Sequence, residues 1–281
     1  PAGVLLARPR KIWSPPVTAP HPIYMRDVIA TLVTPVSWRV VCPHFKEDIA
    51  WVQKVLELEC KVSLYDCQVQ KVAASLAMAD GVSLCPKGGE LTTVDHMYAY
   101  YKHCSDNYDK LEDYTFFCHG HDTNWHQTTP LGELVAECQR LYTEGALPAY
   151  VNLSDIVFDN WRSRTGFMLA KVIDNWPFVQ DVMGTQPPVS LCDIACAQCC
   201  VHKSRILARP RRFWTTLADL MMSVHVGQSK GYLMEGINHM IFGEPAVRPA
   251  IEDVLRQKPV RGDFSWVRVH DPAFHVSVLM I

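Results

Sequence analysis

The sequence predicts an α/β protein in which helices flank a mostly parallel central sheet. Apolar runs typical of buried strands occupy residues 38–43 and 60–67, and the second run alternates apolar and polar residues. Between them, residues 46–56 repeat apolar residues at helical spacing after an acidic start. A strand, a helix and a second strand in this order wind into a parallel sheet.

Later segments extend the same pattern. Residues 114–118 are rich in aromatic residues and predict a central strand, and residues 131–142 predict an amphipathic helix that Gly145 ends. Another strand is predicted at 149–153, and shorter extended pieces at 82–85, 265–270 and 275–279. Further helices are predicted at 68–79, 92–104, 166–175 and 251–257, with two more between 212 and 242 that break around Gly227 to Gly231.

We expect one domain with an extension at each end. Seven prolines within residues 1–37 forbid a long helix there and predict an extended arm. Residues 38–258 form the predicted α/β domain, whose C-terminal part is helical, and residues 259–281 form an extended tail. The arm and the tail are suited to reaching across a protein partner.

Charge and hydropathy argue against two classes of partner. The formal net charge of −2 and the pI near 6.7 supply no overall field for a polyanion, and the basic runs at 8–11 and 208–212 are short. We therefore expect no nucleic acid as a partner. No uncharged apolar stretch reaches the roughly 18 residues that cross a membrane, so we expect no membrane span.

Eleven cysteines are many for a cytosolic protein of this size. They favour a compartment that permits disulfides, such as the secretory pathway, and the glycosylation acceptor Asn152-Leu153-Ser154 fits that route, although the compartment stays open. Four cysteines crowd into 192–200, where paired disulfides or buried helical thiols are favoured. A zinc site completed by His202 has poor spacing, and too little chain follows for the barrel of a radical iron–sulfur enzyme.

A histidine cluster follows the predicted central strand. His119, His121, Asp122 and His126 come directly after residues 114–118. In open α/β sheets, ligands bind at the carboxyl ends of the strands. His119 and His121 are two residues apart, so on an extended backbone they point the same way. Imidazoles and a carboxylate suit a divalent metal or proton transfer, whereas the alternative is a hydrogen-bonded polar loop around Trp125.

Two other loops are expected at the same edge of the sheet. Glu47 and Asp48 follow the first predicted strand, and Gly88, Gly89 and Glu90 precede the helix at 92–104. The two glycines allow close backbone approach to an anionic ligand, or else they simply form a tight loop. A real site should bring all three loops together.

Several motifs in order resemble the domain-of-unknown-function family 3431. Together they span most of residues 38–243. In chain order they are Val40-Val41, Lys46-Glu47-Asp48-Ile49-Ala50-Trp51, Gly89-Glu90, Tyr98 with Tyr101, residues 106–111, Phe116-Phe117-Cys118-His119-Gly120-His121 with Trp125-His126, Tyr150-Val151-Asn152-Leu153, Arg212-Phe213-Trp214 and Ile241-Phe242-Gly243.

The family's pattern is similar to metal-dependent GT-A glycosyltransferases, and thus to Rossmann-like sheets. In those enzymes a turn after a central strand holds a metal and a nucleotide diphosphate. The resemblance implies that His119, His121 and Asp122 hold a divalent metal, and that Glu47 or Asp48 lies near the pocket for a nucleotide-sugar donor. The glycine turn adds Gly88 and Gly89 to the residues predicted to bind this donor. We predict Asp122, His126 and Glu90 as the catalytic residues.

Two functions of different classes stay open. One is a metal-assisted transferase, glycosyltransferase-like, that acts at the histidine and aspartate cluster. The other is a non-catalytic structural or binding subunit of a larger assembly that retains the fold. The histidine cluster favours the first function, and the arm and tail favour the second.

Overall fold

The computed structural model describes ten stretches of the chain. They are residues 35–45, 47–66, 81–85, 96–124, 126–154, 156–159, 167–194, 198–222, 228–248 and 266–268. Nearly all of the predicted arm lies outside these stretches, as do the helices predicted at 68–79 and 251–257, the turn at 86–90 and the extended piece at 275–279.

The described residues form an α/β structure. Its strands are β1 (Trp38–His44), β2 (Lys61–Asp66), β3 (Val82–Cys85), β4 (Tyr114–Phe117), β5 (Tyr150–Asn152), β6 (Ile156–Asp159), β7 (Cys192–Ile194), β8 (Cys199–His202) and β9 (Trp266–Arg268). Its α-helices are α1 (Trp51–Glu57), α2 (Met97–Asp106), α3 (Leu131–Thr143), α4 (Phe167–Asn175), α5 (Gln180–Met183), α6 (Lys203–Leu207), α7 (Arg211–Met222) and α8 (Gln228–Ile241). None of these helices is long and apolar enough to cross a membrane.

Six strands form the central sheet in the order β3-β2-β1-β4-β8-β5. The pairs β3 with β2, β2 with β1 and β1 with β4 are parallel, whereas β8 runs antiparallel to both β4 and β5. The predicted, mostly parallel sheet is therefore confirmed, with one reversed strand inside it. Strands β7, β6 and β9 form a separate antiparallel sheet, in which β9 is the edge strand predicted within 265–270.

Alternation along the strands divides the core between the two faces of the sheet. On one face, Val40, Phe116 and Val151 pack with residues of α1 and α3, such as Trp51 and Leu131. The opposite face carries Val41, Phe117 and Tyr150, which pack with α2, α7 and α8. We call these the α1 face and the α8 face. Since successive strand residues point to opposite faces, any residue near a strand end can be assigned to one of them.

Two predicted helix boundaries were wrong. The helix predicted at 46–56 begins only at Trp51, because the Asp48 side chain accepts a hydrogen bond from the Ala50 amide at 2.9 Å and forms a turn there instead. The break predicted around Gly227 to Gly231 is wrong at its carboxyl end, since α8 already begins at Gln228 and includes Gly231.

The predicted disulfides are absent among the cysteines whose side chains the structure describes. The eight are reduced thiols, and all are buried: Cys42, Cys60, Cys104, Cys118, Cys138, Cys192, Cys199 and Cys200. Cys192 and Cys199 lie on strands, so the expectation of helical thiols is also wrong for them. Burial, together with the neighbouring Cys138, raises the pKa of Cys60 to about 12, which keeps this thiol protonated and unreactive.

A charged network lies near the amino ends of β1 and β2. Glu112 accepts hydrogen bonds from Arg39 Nε at 2.8 Å and Arg39 Nη2 at 2.6 Å, and Lys61 Nζ lies 3.2 Å away. Arg39 Nη1 donates to Ser63 Oγ at 2.8 Å. Burial alone raises the pKa of Glu112, but the hydrogen bonds and charge of Arg39 outweigh it and hold that pKa below its ordinary value.

Replacing Glu112 with Gln leaves the Arg39 guanidinium without its buried counter-charge, so we expect the free energy of unfolding to fall by roughly 3 kcal/mol near pH 7. The carboxylate with the lowered pKa stabilises the fold above the unfolded-state pKa, and this contribution is lost as pH falls through the folded-state pKa. The wild type and Glu112→Gln should therefore be unfolded with urea at neutral and acidic pH. The difference between their free energies of unfolding should narrow below the ordinary carboxyl pKa of 4.5.

Glu137→Gln is the matched control, because Glu137 pairs with Arg140 on the exposed side of α3. A surface pair of this kind is worth under about 1 kcal/mol. Two results would contradict the role of the buried pair. One is an equal loss of unfolding free energy in Glu112→Gln and Glu137→Gln, and the other is a loss in Glu112→Gln that stays the same in acid.

Candidate functional site

The strand order reverses between β1 and β4. Following the chain, β2 and β3 are added on one side of β1, and β4 is added on the other. Both strands are parallel, so their carboxyl ends and the loops after them meet at one edge of the sheet. A crevice at such a reversal is the usual ligand position in open α/β sheets. The loop with Glu47 and Asp48 and the loop with His119 to His126 both leave from this point.

His119 lies in a group of imidazole rings. Its Nδ1 atom lies 3.2 Å from His126 Nε2, and the centroids of these two rings are 4.8 Å apart. The ring of His96, the residue before α2, is also in contact, with its centroid 4.2 Å from that of His119. On its other side, His96 Nε2 lies 4.0 Å from Glu235 Oε1 of α8.

Two glutamine side chains beside this group have fixed orientations. Gln127 Nε2 donates to the backbone carbonyls of Asp122 and Thr129, each at 3.0 Å, so Gln127 Oε1 must accept. It accepts from Gln198 Nε2 at 2.6 Å. Gln198 Oε1 in turn accepts from the His119 amide at 2.8 Å. These bonds leave the second hydrogen of the Gln198 amide to face His126.

The orientation of Gln198 sets the tautomers of both histidines. Gln198 Nε2 lies 3.4 Å from His126 Nδ1, which therefore accepts. A neutral imidazole has one donor and one acceptor nitrogen, so His126 Nε2 carries the hydrogen and donates to His119 Nδ1. The remaining hydrogen of His119 then lies on Nε2. This atom is buried and has no hydrogen-bond partner within the described part of the chain.

Burial lowers the pKa of His119 well below its ordinary value, and the nearby His96, His126 and His121 lower it further. The ring therefore stays neutral at physiological pH. A neutral imidazole that presents a fixed N–H can donate to an oxygen on which negative charge develops. His119 is thus placed as a hydrogen-bond donor rather than as a base.

On the other side of the same loop, Glu47 lies against Gly120. Glu47 Oε2 accepts from the Phe45 amide at 2.7 Å, and its Oε1 lies 3.9 Å from Nε2 of the exposed His121. The Gly120 carbonyl accepts from Trp51 Nε1 at 2.9 Å, which ties the loop to α1. His121 and His119 therefore have different surroundings, and the expectation that they point the same way was wrong. The backbone leaves strand geometry after Phe117, so the period of two no longer applies.

Asp122 lies at the start of α3. Its Oδ1 accepts from the Leu131 amide at 3.0 Å, and its Oδ2 lies 3.7 Å from Lys54 Nζ. Asp48 likewise caps a turn. An open cleft of about 310 Å³ lies between these two carboxylates, and Lys54, His121 and Thr123 line it together with residues at the start of α1.

The structure thus gathers two of the three predicted loops at one edge. Gly88, Gly89 and Glu90 lie outside the described residues. The predicted metal ligands His119, His121 and Asp122 do not fit a metal: the available His119 atom is buried beside His96, His121 faces Glu47, and Asp122 caps α3. Among the described residues, no three histidine, cysteine, aspartate or glutamate side chains are arranged to hold a metal ion.

Three residues of the site were missed by sequence reasoning. His96 falls inside the helix predicted at 92–104, Glu235 lies on a C-terminal helix, and Gln198 lies in the cysteine cluster. Glu235 and Gln198 come from segments far along the chain. The only available signal was Gln198 itself, a polar residue just before a short strand-like run.

A family model described as a protein of unknown function, DUF3431, matches residues 40–254. The chain belongs to the DUF3431 family. The family resemblance in the motifs is therefore confirmed, and the matched range includes every described residue of the site. Neither a curated protein nor a solved structure matches the chain.

Gly120 is required by the close approach of Glu47. A Cβ at this position would lie 2.7 Å from Glu47 Cδ and 2.9 Å from its Cγ. We expect Gly120→Ala to reduce the free energy of unfolding by roughly 1–3 kcal/mol, because the loop or Glu47 must shift. Thermal or urea unfolding measures the change.

Glu47→Ala removes the three atoms nearest to this new Cβ, which are Glu47 Cδ, Oε2 and Cγ. In the Glu47→Ala variant, Gly120→Ala should therefore reduce the free energy of unfolding much less. A double-mutant cycle detects this difference as a coupling energy. If the losses of unfolding free energy in the two single variants simply add in the double variant, the crowding at Gly120 does not come from Glu47.

Proposed function

We propose that the protein is a transferase of the glycosyltransferase-like class that works at the carboxyl edge of the sheet between β1 and β4. The observation that carries the proposal is the neutral, buried N–H of His119 at the point where the strand order reverses. The similarity of the family's sequence pattern to GT-A glycosyltransferases supports the choice of reaction class, at the level of analogy.

The chemistry of glycosyl transfer suits this arrangement. The bond from the anomeric carbon to the leaving oxygen breaks, a bond to an acceptor hydroxyl forms, and that hydroxyl loses its proton. A fixed donor such as His119 Nε2–H, shielded from water, stabilises the acceptor oxygen as that hydroxyl loses its proton and negative charge develops on it. On the same side, the Glu235 carboxylate lies next to His96 and is the group that we assign to take the proton.

Two predicted catalytic residues have other roles in this proposal. His126 acts through His119, because its hydrogen bond fixes the His119 tautomer, and it is a positioning residue. Asp122 lines the open cleft with Lys54 and His121, which we propose as the entrance for the nucleotide part of a nucleotide-sugar donor. Since the predicted ligand set does not fit a metal, the proposed steps use only side chains of this chain.

A second function is favoured by a different observation. Glu47, Asp48 and Asp122 all accept hydrogen bonds from backbone amides. Carboxylates that only stabilise the loops at a sheet edge, with no catalytic role, do the same. This supports the alternative of a non-catalytic binding or structural subunit. The two functions differ in whether the chain binds nucleotide-sugars and releases nucleotide from them.

The test uses the purified full chain with UDP-glucose, UDP-galactose, UDP-N-acetylglucosamine and GDP-mannose, each with Mn²⁺ and with a chelator. We expect nucleotide release from at least one donor. His119→Phe keeps an aromatic ring but removes the N–H donor, so the rate should fall by about 100-fold or more. His202→Phe is the control, because His202 pairs with Tyr114 at the opposite end of β4 and should leave the rate unchanged.

No release and no donor-induced rise in melting temperature under any condition would favour the non-catalytic function. Release that is equally fast in His119→Phe would mean that the reaction does not depend on the imidazole group.

A further inference from the structure

A second group of polar side chains lies on the α8 face at the same edge of the sheet. Along β5 and the residues after it, Tyr150 packs on the α8 face, and Val151 and Leu153 pack on the α1 face. Alternation therefore assigns Asn152 and Ser154 to the α8 face. Both are nearly fully buried, with 5% of their surface exposed.

Gln198 and Cys199 link the backbone of this segment to His119 and to helix α8. Gln198 accepts from the His119 amide through its side chain and from the Leu153 amide, at 2.9 Å, through its backbone carbonyl. Ser154 therefore directly follows the residue whose amide Gln198 holds. Cys199 pairs with Asn152 across the sheet and lies 3.5 Å from the side-chain amide of Asn238 on α8.

We call this group the α8-face polar cluster. It consists of His96, His119, Asn152, Ser154, Glu235 and Asn238. Helix α8 supplies Glu235 and Asn238, which are three positions apart and so lie on one side of the helix. The cluster lies on the opposite face of the sheet from α1 and so from the open cleft that contains Lys54 and Asp122.

Two members of the cluster present hydrogen-bonding atoms that no other described residue of the chain uses. Ser154 Oγ and His119 Nε2 are buried and have no partner in the described part of the chain. Leaving a buried hydroxyl unsatisfied costs about 1–3 kcal/mol, so such groups in a native structure call for a bound water, an ion or a ligand. Both atoms lie at the edge where ligands of such sheets bind.

The chemistry of the cluster selects against an anion. Its members are a hydroxyl, neutral imidazoles, two amides and one carboxylate, and none of them is a lysine or an arginine. The nearby Arg248 packs over Tyr150 and lies 3.6 Å from Glu244, so its charge already has a counter-ion. Hydroxyl groups both donate and accept, and therefore match this mixture of donors and acceptors.

We infer that the α8-face polar cluster binds an uncharged, hydroxyl-rich ligand of the sugar class through Ser154 and His119. The role of this cluster as the acceptor site rests on the transferase function proposed above. The inference that it binds a sugar depends only on the residues of the cluster. The ligand hydroxyl accepts from His119 Nε2–H and exchanges a hydrogen bond with Ser154 Oγ, while Glu235 lies on the same side. Donor and acceptor then enter from opposite faces of the sheet edge.

The test is saturation-transfer difference NMR of the full chain with methyl glucoside, methyl galactoside, methyl mannoside, methyl xyloside and methyl N-acetylglucosaminide, without any nucleotide. We expect at least one glycoside to bind. Ser154→Ala should weaken that binding about tenfold, as expected for the loss of one buried hydrogen bond. Because Ser154 Oγ has no hydrogen-bond partner among the described residues, the ligand-free variant should melt at the same temperature as the wild type or higher.

Thr115→Val is the matched control. Thr115 also has a buried hydroxyl with no partner among the described residues, and alternation with Phe117 places it on the α8 face of β4. It precedes His119 by four residues, roughly 13 Å along an extended strand, so this variant should bind the glycoside like the wild type.

Three results would overturn the inference. They are no binding of any glycoside, equal binding in Ser154→Ala, or a lower melting temperature of ligand-free Ser154→Ala, which would show that the hydroxyl serves the fold through a structural water. Nucleotide release is scored separately. Glycoside binding without nucleotide release would keep the sugar site and reject the transferase, and the reverse result would reject only the sugar site.

Discussion

The candidate site depends on the reversed direction of one strand. Because β8 runs antiparallel to β4 and β5, its amino end lies at their carboxyl ends, and Gln198 just before it reaches both neighbours. The side chain of Gln198 holds the His119 amide, and its backbone carbonyl holds the Leu153 amide. A parallel strand in this place would put its carboxyl end here instead, and neither contact would form.

The same glutamine also decides what His119 can do. Two backbone carbonyls orient Gln127, Gln127 orients Gln198, and Gln198 orients His126. The His119 N–H is therefore fixed by a chain of hydrogen bonds that begins at the backbone. Burial contributes the second condition, because it keeps the ring neutral. Such preorganisation costs nothing at the moment of reaction, which is why fixed donors are effective in catalysis.

Much of the fold was predictable because local signals agree with it. Strands β1, β2 and β4 are short apolar runs between clear helical or turn segments, and α3 has one apolar stripe and a glycine at its end. Strand β8 was missed because its four residues begin with two cysteines, a pattern that suggested disulfides or a metal. Its direction follows from long-range pairing, which no local pattern contains.

The position of His119, His121 and Asp122 at the sheet edge was predicted, but their roles were not. A carboxylate after a strand suggests a ligand, yet Asp48 and Asp122 are used by the backbone. The capping preference of aspartate was the signal that explains both. His96 and Glu235 could not be predicted, since a helix pattern gives the apolar face and does not show which polar residue meets a distant loop.

The tripeptide from His119 to His121 divides the edge into two environments. The chain stops following the strand after Phe117, so His119 meets His96 on the α8 face and His121 meets Glu47 on the α1 face. Gly120 between them has no Cβ, and Glu47 fills the space that a Cβ would need. The proposed transfer reaction needs two substrates to approach one point from different directions. A loop whose alternate residues face opposite sides of the sheet, joined by one glycine, supplies that geometry without any additional element.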